Sequence, residues 1–433
     1  MNKCKLVNVS DLITKGTTPS TMGSGFLGVG INFIRAESLI NSKYLDKKSF
    51  EHIDQSTDDK LQRSRLKSGD LLFSIAGYLG KVGVVSDSDL PANTNQAVGI
   101  VRINPKKANV DYLYYFFSQK YIQKRISQLS SQSVQANLNL ELLGALEFDN
   151  KDINKQKKIS AVLSALDSKI DLNNRINAEL EAMAKTLYDY WFVQFDFPDQ
   201  NGQPYKTSGG KMVWSEELKQ DIPEGWGIAK MSEWINLDKS GDWGKDQQEG
   251  NYTKKVTCIR GADINGLNGL DELKPPTRYI LEKNTLKILK SHDIIIEISG
   301  GSPTQSTGRL AFITNATIKR FENPLICSNF CKPISIINKK LLYNFVYYWT
   351  SLYDNGIFFG YEGKTSGIKN LLLDSFVNSY FTVVPDEKIV NQFYDIMENI
   401  QKKKQTVLAE NQKLAELRDW LLPMLMNEQV KVK

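Results

Sequence analysis

Leu66-Lys67-Ser68-Gly69-Asp70-Leu71-Leu72-Phe73-Ser74-Ile75 is answered later in the chain by Leu289-Lys290-Ser291-His292-Asp293-Ile294-Ile295-Ile296-Glu297-Ile298. Each copy passes from a polar lead through a turn position and an aspartate into a block of apolar residues. Apolar continuity over that length marks a buried strand, entered in the first copy through the Ser68-Gly69 turn. The second copy puts His292 where the first has Gly69, which is expected to be a solvated turn histidine.

Working outward, the pairing persists. Phe33-Ile34-Arg35-Ala36 recurs as Cys258-Ile259-Arg260-Gly261. Gly80-Lys81-Val82-Gly83-Val84 is echoed by Gly308-Arg309-Leu310-Ala311-Phe312, and Tyr114-Tyr115-Phe116-Phe117 by Tyr347-Tyr348-Trp349. Four blocks in one order, displaced by roughly 223–234 residues, identify a tandem duplication. The aromatic stretch Asp111–Tyr121 has helical spacing and reads as a packed core helix, not as a base-stacking platform.

Each copy closes on a long helix. Lys151–Phe197 holds no glycine or proline before Pro198, and neither does Asp386–Leu422 before Pro423, so both prolines read as stops. In the first helix the heptad core positions are Ile159, Leu163, Leu166, Ile170, Asn173, Asn177, Leu180, Ala184, Leu187 and Trp191. In the second they are Ile389, Phe393, Ile396, Ile400, Lys403, Val407, Glu410, Leu414, Leu417 and Leu421. Eight of ten are apolar in each set, which is coiled-coil patterning with polar register-setting residues at mid-helix. Some 35–40 residues make a rod of roughly 50–60 Å. An antiparallel pair of such rods, with the globular parts at opposite ends, is the arrangement the duplication suggests.

The expected layout is a mixed α/β chain: a globular part over 1–150, a spacer helix over 151–197, a linker over 198–226, a second globular part over 227–385, a distal helix over 386–426 and a tail over 427–433. The linker is rich in Gly, Pro, Asn, Asp and Ser, including Asn201-Gly202 and Ser208-Gly209-Gly210, and reads as an irregular connection outside the core.

Composition narrows the function. A net charge of +6 hints at an anionic partner without deciding one. No apolar run reaches membrane-span length, and the start of the chain lacks a signal-peptide core, so a cytoplasmic protein is expected. Cys258, Cys327 and Cys331 could be drawn into a metal site with His292, but without a CxxC pair they read as buried thiols. Gly23-Ser24-Gly25-Phe26-Leu27-Gly28 follows no strand, and Gly363-Lys364-Thr365 lacks the upstream glycine of a phosphate loop. No Asn/Asp-Pro-Pro-Tyr/Phe tetrapeptide, no nuclease-type acidic cluster and only two histidines are present, so catalytic chemistry is poorly supplied.

Over nearly its whole length the chain resembles the specificity subunits of type I restriction–modification systems. The resemblance is carried by the phased repeat, the Leu66–Ile75 block, the helix Lys155–Trp191 ending in Leu187-Tyr188-Asp189-Tyr190-Trp191-Phe192, the segment Ile222-Pro223-Glu224-Gly225-Trp226, and Leu417-Arg418-Asp419-Trp420-Leu421-Leu422-Pro423. It implies a non-catalytic subunit whose two target-recognition domains each read half of a split duplex DNA sequence. It also implies a helical spacer that docks two adenine-N6 methyltransferase subunits, with an ATP-dependent translocating nuclease subunit joining them. Methyl donor, ATP and magnesium would belong to those partners, leaving this chain without a cofactor. The rivals are a diverged methyltransferase or fused restriction enzyme, and a coiled-coil interaction protein without a DNA role. Arg or Lys suits guanine edges and Asn or Gln suits adenine edges. On that basis the expected readers are Tyr78, Lys81, Asn93, Asn95 and Gln96 in the first copy and Gln305, Arg309, Asn329 and Lys364 in the second.

Overall fold

Asp70–Ser74 and Asp293–Glu297 are buried at every position, as their apolar continuity requires. The turns before them are built alike. Asp70 Oδ2 accepts from the Lys67 amide at 2.8 Å, and Asp293 Oδ2 accepts from the Lys290 amide at 2.7 Å. Gly69 and His292 both adopt left-handed backbone, with φ of 83° and 76°. The histidine is not a solvated turn residue: its Nε2 lies 3.1 Å from the hydroxyl of Tyr394 on the second long helix. That contact anchors a conformation otherwise uncommon outside glycine.

The structure, a computed structural model, describes residues 3–19, 25–77, 79–130, 137–300, 302, 304–365 and 368–432. Its contacts divide into one unit of Met1–Asp171 with Asn411–Lys433, and another of Leu172–Glu410. Each long helix therefore contributes one part to each unit.

In the first unit, Ser10–Lys15, Val98–Ile103, Asp70–Ser74 and Val82–Val84 lie side by side, in that order, as an antiparallel sheet. In the second, Ile235–Asn236, Cys331–Ile336, Asp293–Glu297 and Leu310–Phe312 repeat the same order. A three-stranded sheet accompanies each. Ile31–Ile34 pairs antiparallel with Glu51–Ile53 and parallel with Ala92–Thr94. Tyr252–Ile259 does the same with Thr277–Leu281 and Leu325–Cys327. The duplication read from short blocks is thus a duplication of sheet topology.

The helices Val110–Ser118 and Leu342–Asp354 pack aromatic side chains into the cores, as their spacing predicts. The long helices run Ile153–Tyr188, widening into a π turn over Asp189–Val193, and Glu387–Met426. Neither stops where its proline suggested. The first ends before Pro198, where Phe195 takes a left-handed φ of 63°. The second carries Pro423 inside its last turn, where the bond its missing N–H would make to Asp419 O is given up and the helix runs only to Met426.

Within each unit the helical segments pair antiparallel. In the first, Asp167 meets Arg418; in the second, Asn173 meets Glu410 at 2.8 Å and Glu181 meets Lys404 at 2.6 Å. Leu163, Asn173 and Phe393 are buried, and Leu166, Ile170, Leu180, Leu187, Ile400, Leu414 and Leu421 are half-buried. Four heptad assignments fail: Ile396 is 39% exposed and Leu417 is 43% exposed, and Lys403 and Glu410 are exposed as well. The buried face of the second helix passes through Val390, Phe393, Met397, Gln401, Lys404 and Leu408 instead. Phe393 serves both patterns. From it the interior face advances by four to Met397, and Tyr188 and Phe192 pack on Phe393 at 6.1 and 4.8 Å between ring centroids.

The segment 198–226 is also not the irregular connection expected. It holds the hairpin Met212–Ser215/Gln220–Pro223, and buried Ile222 and Trp226 join the core. Phe197 stacks on Trp226 at 4.8 Å and on Tyr205 at 4.6 Å, so sparse aromatics hold a Gly- and Pro-rich stretch in place. Among the described residues, no helix is long and apolar enough to cross a membrane.

Candidate nucleic-acid interface

The strand ends of each unit gather three loops. In the first unit Thr17 donates to Thr94 O at 3.2 Å, and Ile75 donates to Ala97 O at 2.8 Å. This unites the segments after Lys15, after Ser74 and after Thr94. In the second unit Asp242 donates to Cys327 O at 2.8 Å, while Ile298 donates to Phe330 O at 2.9 Å. The crossings are tight: a Cβ on Gly16 would strike the Thr94 carbonyl, and one on Gly241 would strike that of Ser328. Glycine is needed there because the backbones nearly touch.

The second unit adds a braced aromatic. Arg278 is 4% exposed and lies 4.1 Å beneath the Trp243 ring, where it donates to Trp243 O at 2.8 Å and Gly244 O at 3.1 Å. Asp246 closes the cluster as its ion-pair partner. Burial lowers the Arg278 pKa from its ordinary value, and the carbonyls and carboxylate offset the lost hydration. The result is a fixed loop presenting Trp243, 38% exposed, near the exposed turn of Asn329 and Phe330.

Comparison with known proteins bears on what such a paired arrangement serves. A family model described as the type I restriction modification DNA specificity domain matches residues 1–182. The type I restriction enzyme MjaIX specificity subunit of Methanocaldococcus jannaschii is 24% identical over 97% of this chain and 91% of its own length. The HindI specificity subunit of Haemophilus influenzae is 28% identical over 38% of this chain and 36% of its own. Residues 1–182 thus match that specificity domain, and the chain is similar over nearly its whole length to a type I specificity subunit. In fold, it is similar to the crystal structure of the S subunit from M. genitalium, with a TM-score of 0.56 at 15% identity over 98% of this chain and 95% of that one.

In this chain the expected reading residues separate into distinct environments. Gln96 and Asn329 are exposed on the strand-end loops. Asn95 is half-buried beside Gln96, and its Oδ1 accepts from the Ala97 amide at 3.1 Å to shape the turn. Gln305 is half-buried, 3.4 Å from the Tyr353 hydroxyl, and Lys81 is half-buried on the loop after Ser74. Tyr78 and the Lys364 side chain lie outside the described residues.

Two of the expected readers are not presented at all. Asn93 is wholly buried; its amide nitrogen donates to Asp58 and to Leu61 O, and its oxygen accepts from Ser64 and the Thr94 amide. Every hydrogen-bonding group of that side chain is consumed internally. Arg309 forms a bidentate pair with Glu297 at 2.7 and 2.8 Å, and both side chains are largely buried. That carboxylate raises the Arg309 pKa and occupies the fork a guanine edge would need.

The loop of Trp243 was absent from the sequence-based set. A signal for it existed: Gly241 follows Gly16 by the same displacement that relates Cys258 to Phe33. The buried cysteines are not ligand-like. Burial pushes the Cys258 and Cys331 thiols up to about 12, and Cys327 well above its ordinary value.

Proposed function

We infer that this chain is the non-catalytic subunit that selects the DNA sequence for a type I methyltransferase and restriction complex, each globular unit reading one half of a split, asymmetric target. The observation that carries the reading is the repeated strand order with differing loops at the strand ends. A repeated scaffold supplies two equivalent presentations, and different side chains on it supply two different half-sites. Within this reading Gln96 and Asn329 are the foremost base-edge candidates, and Trp243 is a candidate for contact with bases or sugar. The long helices set the distance between half-sites and carry two adenine-N6 methyltransferase subunits, with the ATP-dependent nuclease subunit recruited to them. Methyl donor, ATP and magnesium belong to those partners, and a cytoplasmic location is part of the same reading.

Exchange of residues 227–385 for the matching part of a relative tests it. Methylome sequencing of a host carrying the intact system with the exchanged subunit is expected to show one half of the modified sequence changed and the other retained. Alteration of both halves together would defeat the independent-reader reading. Methyl transfer to DNA by the purified chain alone would defeat the non-catalytic one.

A further inference from the structure

The turns that lead into Val98–Ile103 and Cys331–Ile336 correspond residue for residue. Val98 donates to Asn95 O at 3.2 Å, and Cys331 donates to Ser328 O at 3.0 Å. The third residue of each turn accepts from the end of the neighbouring strand: Ile75 donates to Ala97 O at 2.8 Å, and Ile298 donates to Phe330 O at 2.9 Å. Gln96 is therefore the counterpart of Asn329, and Ala97 of Phe330. The amide is kept in both copies, whereas the residue beside it changes from a small side chain to a large ring.

The two neighbours differ in exposure as well as in size. Ala97 is half-buried and packs on the core beneath it, but Phe330 is 56% exposed. The turn that carries the ring is held by three other segments. Ser299 donates a second hydrogen bond to Phe330 O at 3.1 Å, Ser328 donates to Ile259 O at 2.9 Å, and Asp242 donates to Cys327 O at 2.8 Å. The backbone of the turn is committed to the protein, and the Asn329 and Phe330 side chains are left outside it. An apolar ring held in water forgoes the stabilisation of burial. Because its backbone is already fixed, little freedom is lost when another molecule covers it.

We propose that Phe330 is a specificity-determining residue that reads the 5-methyl group of a thymine in the half-site of the second unit. The inference rests on the proposed function and adds to it one chemical feature of the target. The tip of the turn is two residues wide and suits a major groove about 12 Å across. Asn329 is suited to an adenine edge, so the adjoining ring faces base edges as well. Among the groups those edges present, the apolar one is the thymine methyl. Ala97, small and half-buried, offers no comparable surface, so the contact belongs to one half-site alone.

Uracil supplies the probe, because it differs from thymine only by that methyl. The chain assembled with its methyltransferase subunits is titrated with target duplexes that carry uracil at each thymine of that half-site in turn. At one position uracil is expected to weaken binding about fourfold, the factor that one buried methyl-sized group is worth. Phe330→Ala is expected to weaken binding of the thymine duplex by a similar factor and to become indifferent to uracil at that position. Phe330→Leu, which keeps an apolar contact, is expected to keep a uracil penalty. Should uracil matter at no position, should the penalty persist in Phe330→Ala, or should that variant lose affinity for target and scrambled duplexes alike, the proposal is overturned while the proposed function stands. A complex that fails to prefer its target over scrambled duplex overturns the proposed function and this proposal together.

Discussion

Asp167 and Arg418, 251 residues apart in sequence, are joined by a 2.9 Å hydrogen bond between the two long helices of the first unit. The Asp167 side chain is 6% exposed and that of Arg418 is 22% exposed, and the second carboxylate oxygen accepts from the Tyr115 hydroxyl at 2.6 Å. The helix pair is thereby fastened to the aromatic helix of the core. Arg418→Ala leaves the carboxylate with the hydroxyl alone. It is expected to cost about 1–3 kcal/mol in urea unfolding. An Asp167→Asn, Arg418→Ala double variant should lose less than the sum of the singles, because the two residues share one interaction.

Adjacent residues of the second helix separate the heptad reading from the observed face. Met397 is wholly buried, whereas Ile396 is 39% exposed. Met397→Asp places an unpaired charge in the core and is expected to unfold the second unit, with a loss on the order of 3 kcal/mol or more. Ile396→Asp should shift stability by about 0.5 kcal/mol or less, as exposed substitutions do. Thermal melts followed by circular dichroism decide between them; equal losses would restore the heptad assignment.

At the strand-end loops, Gln96→Ala and Asn329→Ala are each expected to relax one base position of the modified sequence. The cost is about 1–3 kcal/mol of discrimination where the amide contacts a base edge bidentately. A uniform weakening across all sites would mark a phosphate contact instead. Methylome sequencing distinguishes the two patterns.

Asn93→Ala and Arg309→Ala should behave otherwise. The first orphans hydrogen bonds to Asp58 and Ser64, and the second leaves the buried Glu297 carboxylate without its cation. Both are expected to lower stability by about 1–3 kcal/mol while the recognised sequence stays the same. Altered specificity at normal stability would return these residues to the reading set.

Thiol chemistry gives a pH-dependent check. Burial raises the Cys258 and Cys331 pKa values from 9.0 to about 12. A thiol with a raised pKa contributes its stabilisation fully below pH 9 and loses it as pH climbs toward 12, because the unfolded thiol ionises first. Stability should therefore fall across that interval. Of the four cysteines, the half-exposed Cys4 is expected to be alkylated at pH 8 in the native chain, and the other three only after denaturation. Mass spectrometry after iodoacetamide treatment reads the count.

The duplication, the mixed α/β class and the two long helices were legible without coordinates. Each rests on a pattern local in sequence: apolar continuity in Asp70–Ser74 and Asp293–Glu297, and apolar periodicity in the long helices. The aspartates that fold each turn, Asp70 and Asp293, were visible in the same blocks. The resemblance to type I specificity subunits rested on the order of these patterns more than on any single motif.

Which side chains face inward was decided only by tertiary structure. Asn93 and Gln96 stand three residues apart and have similar amides. Asn93 is drawn inside because its strand pairs with Phe33 and seats its amide over Asp58, whereas Gln96 lies on the turn beyond. Ile396 and Met397 are equally apolar neighbours, yet Ile396 is 39% exposed and Met397 is buried in the core that holds Phe393. Periodicity is a property of one segment, whereas burial draws on atoms from segments as distant in sequence as Asp167 and Arg418. That is why the sequence alone determined the repeated framework, and only the packed chain determined what that framework presents.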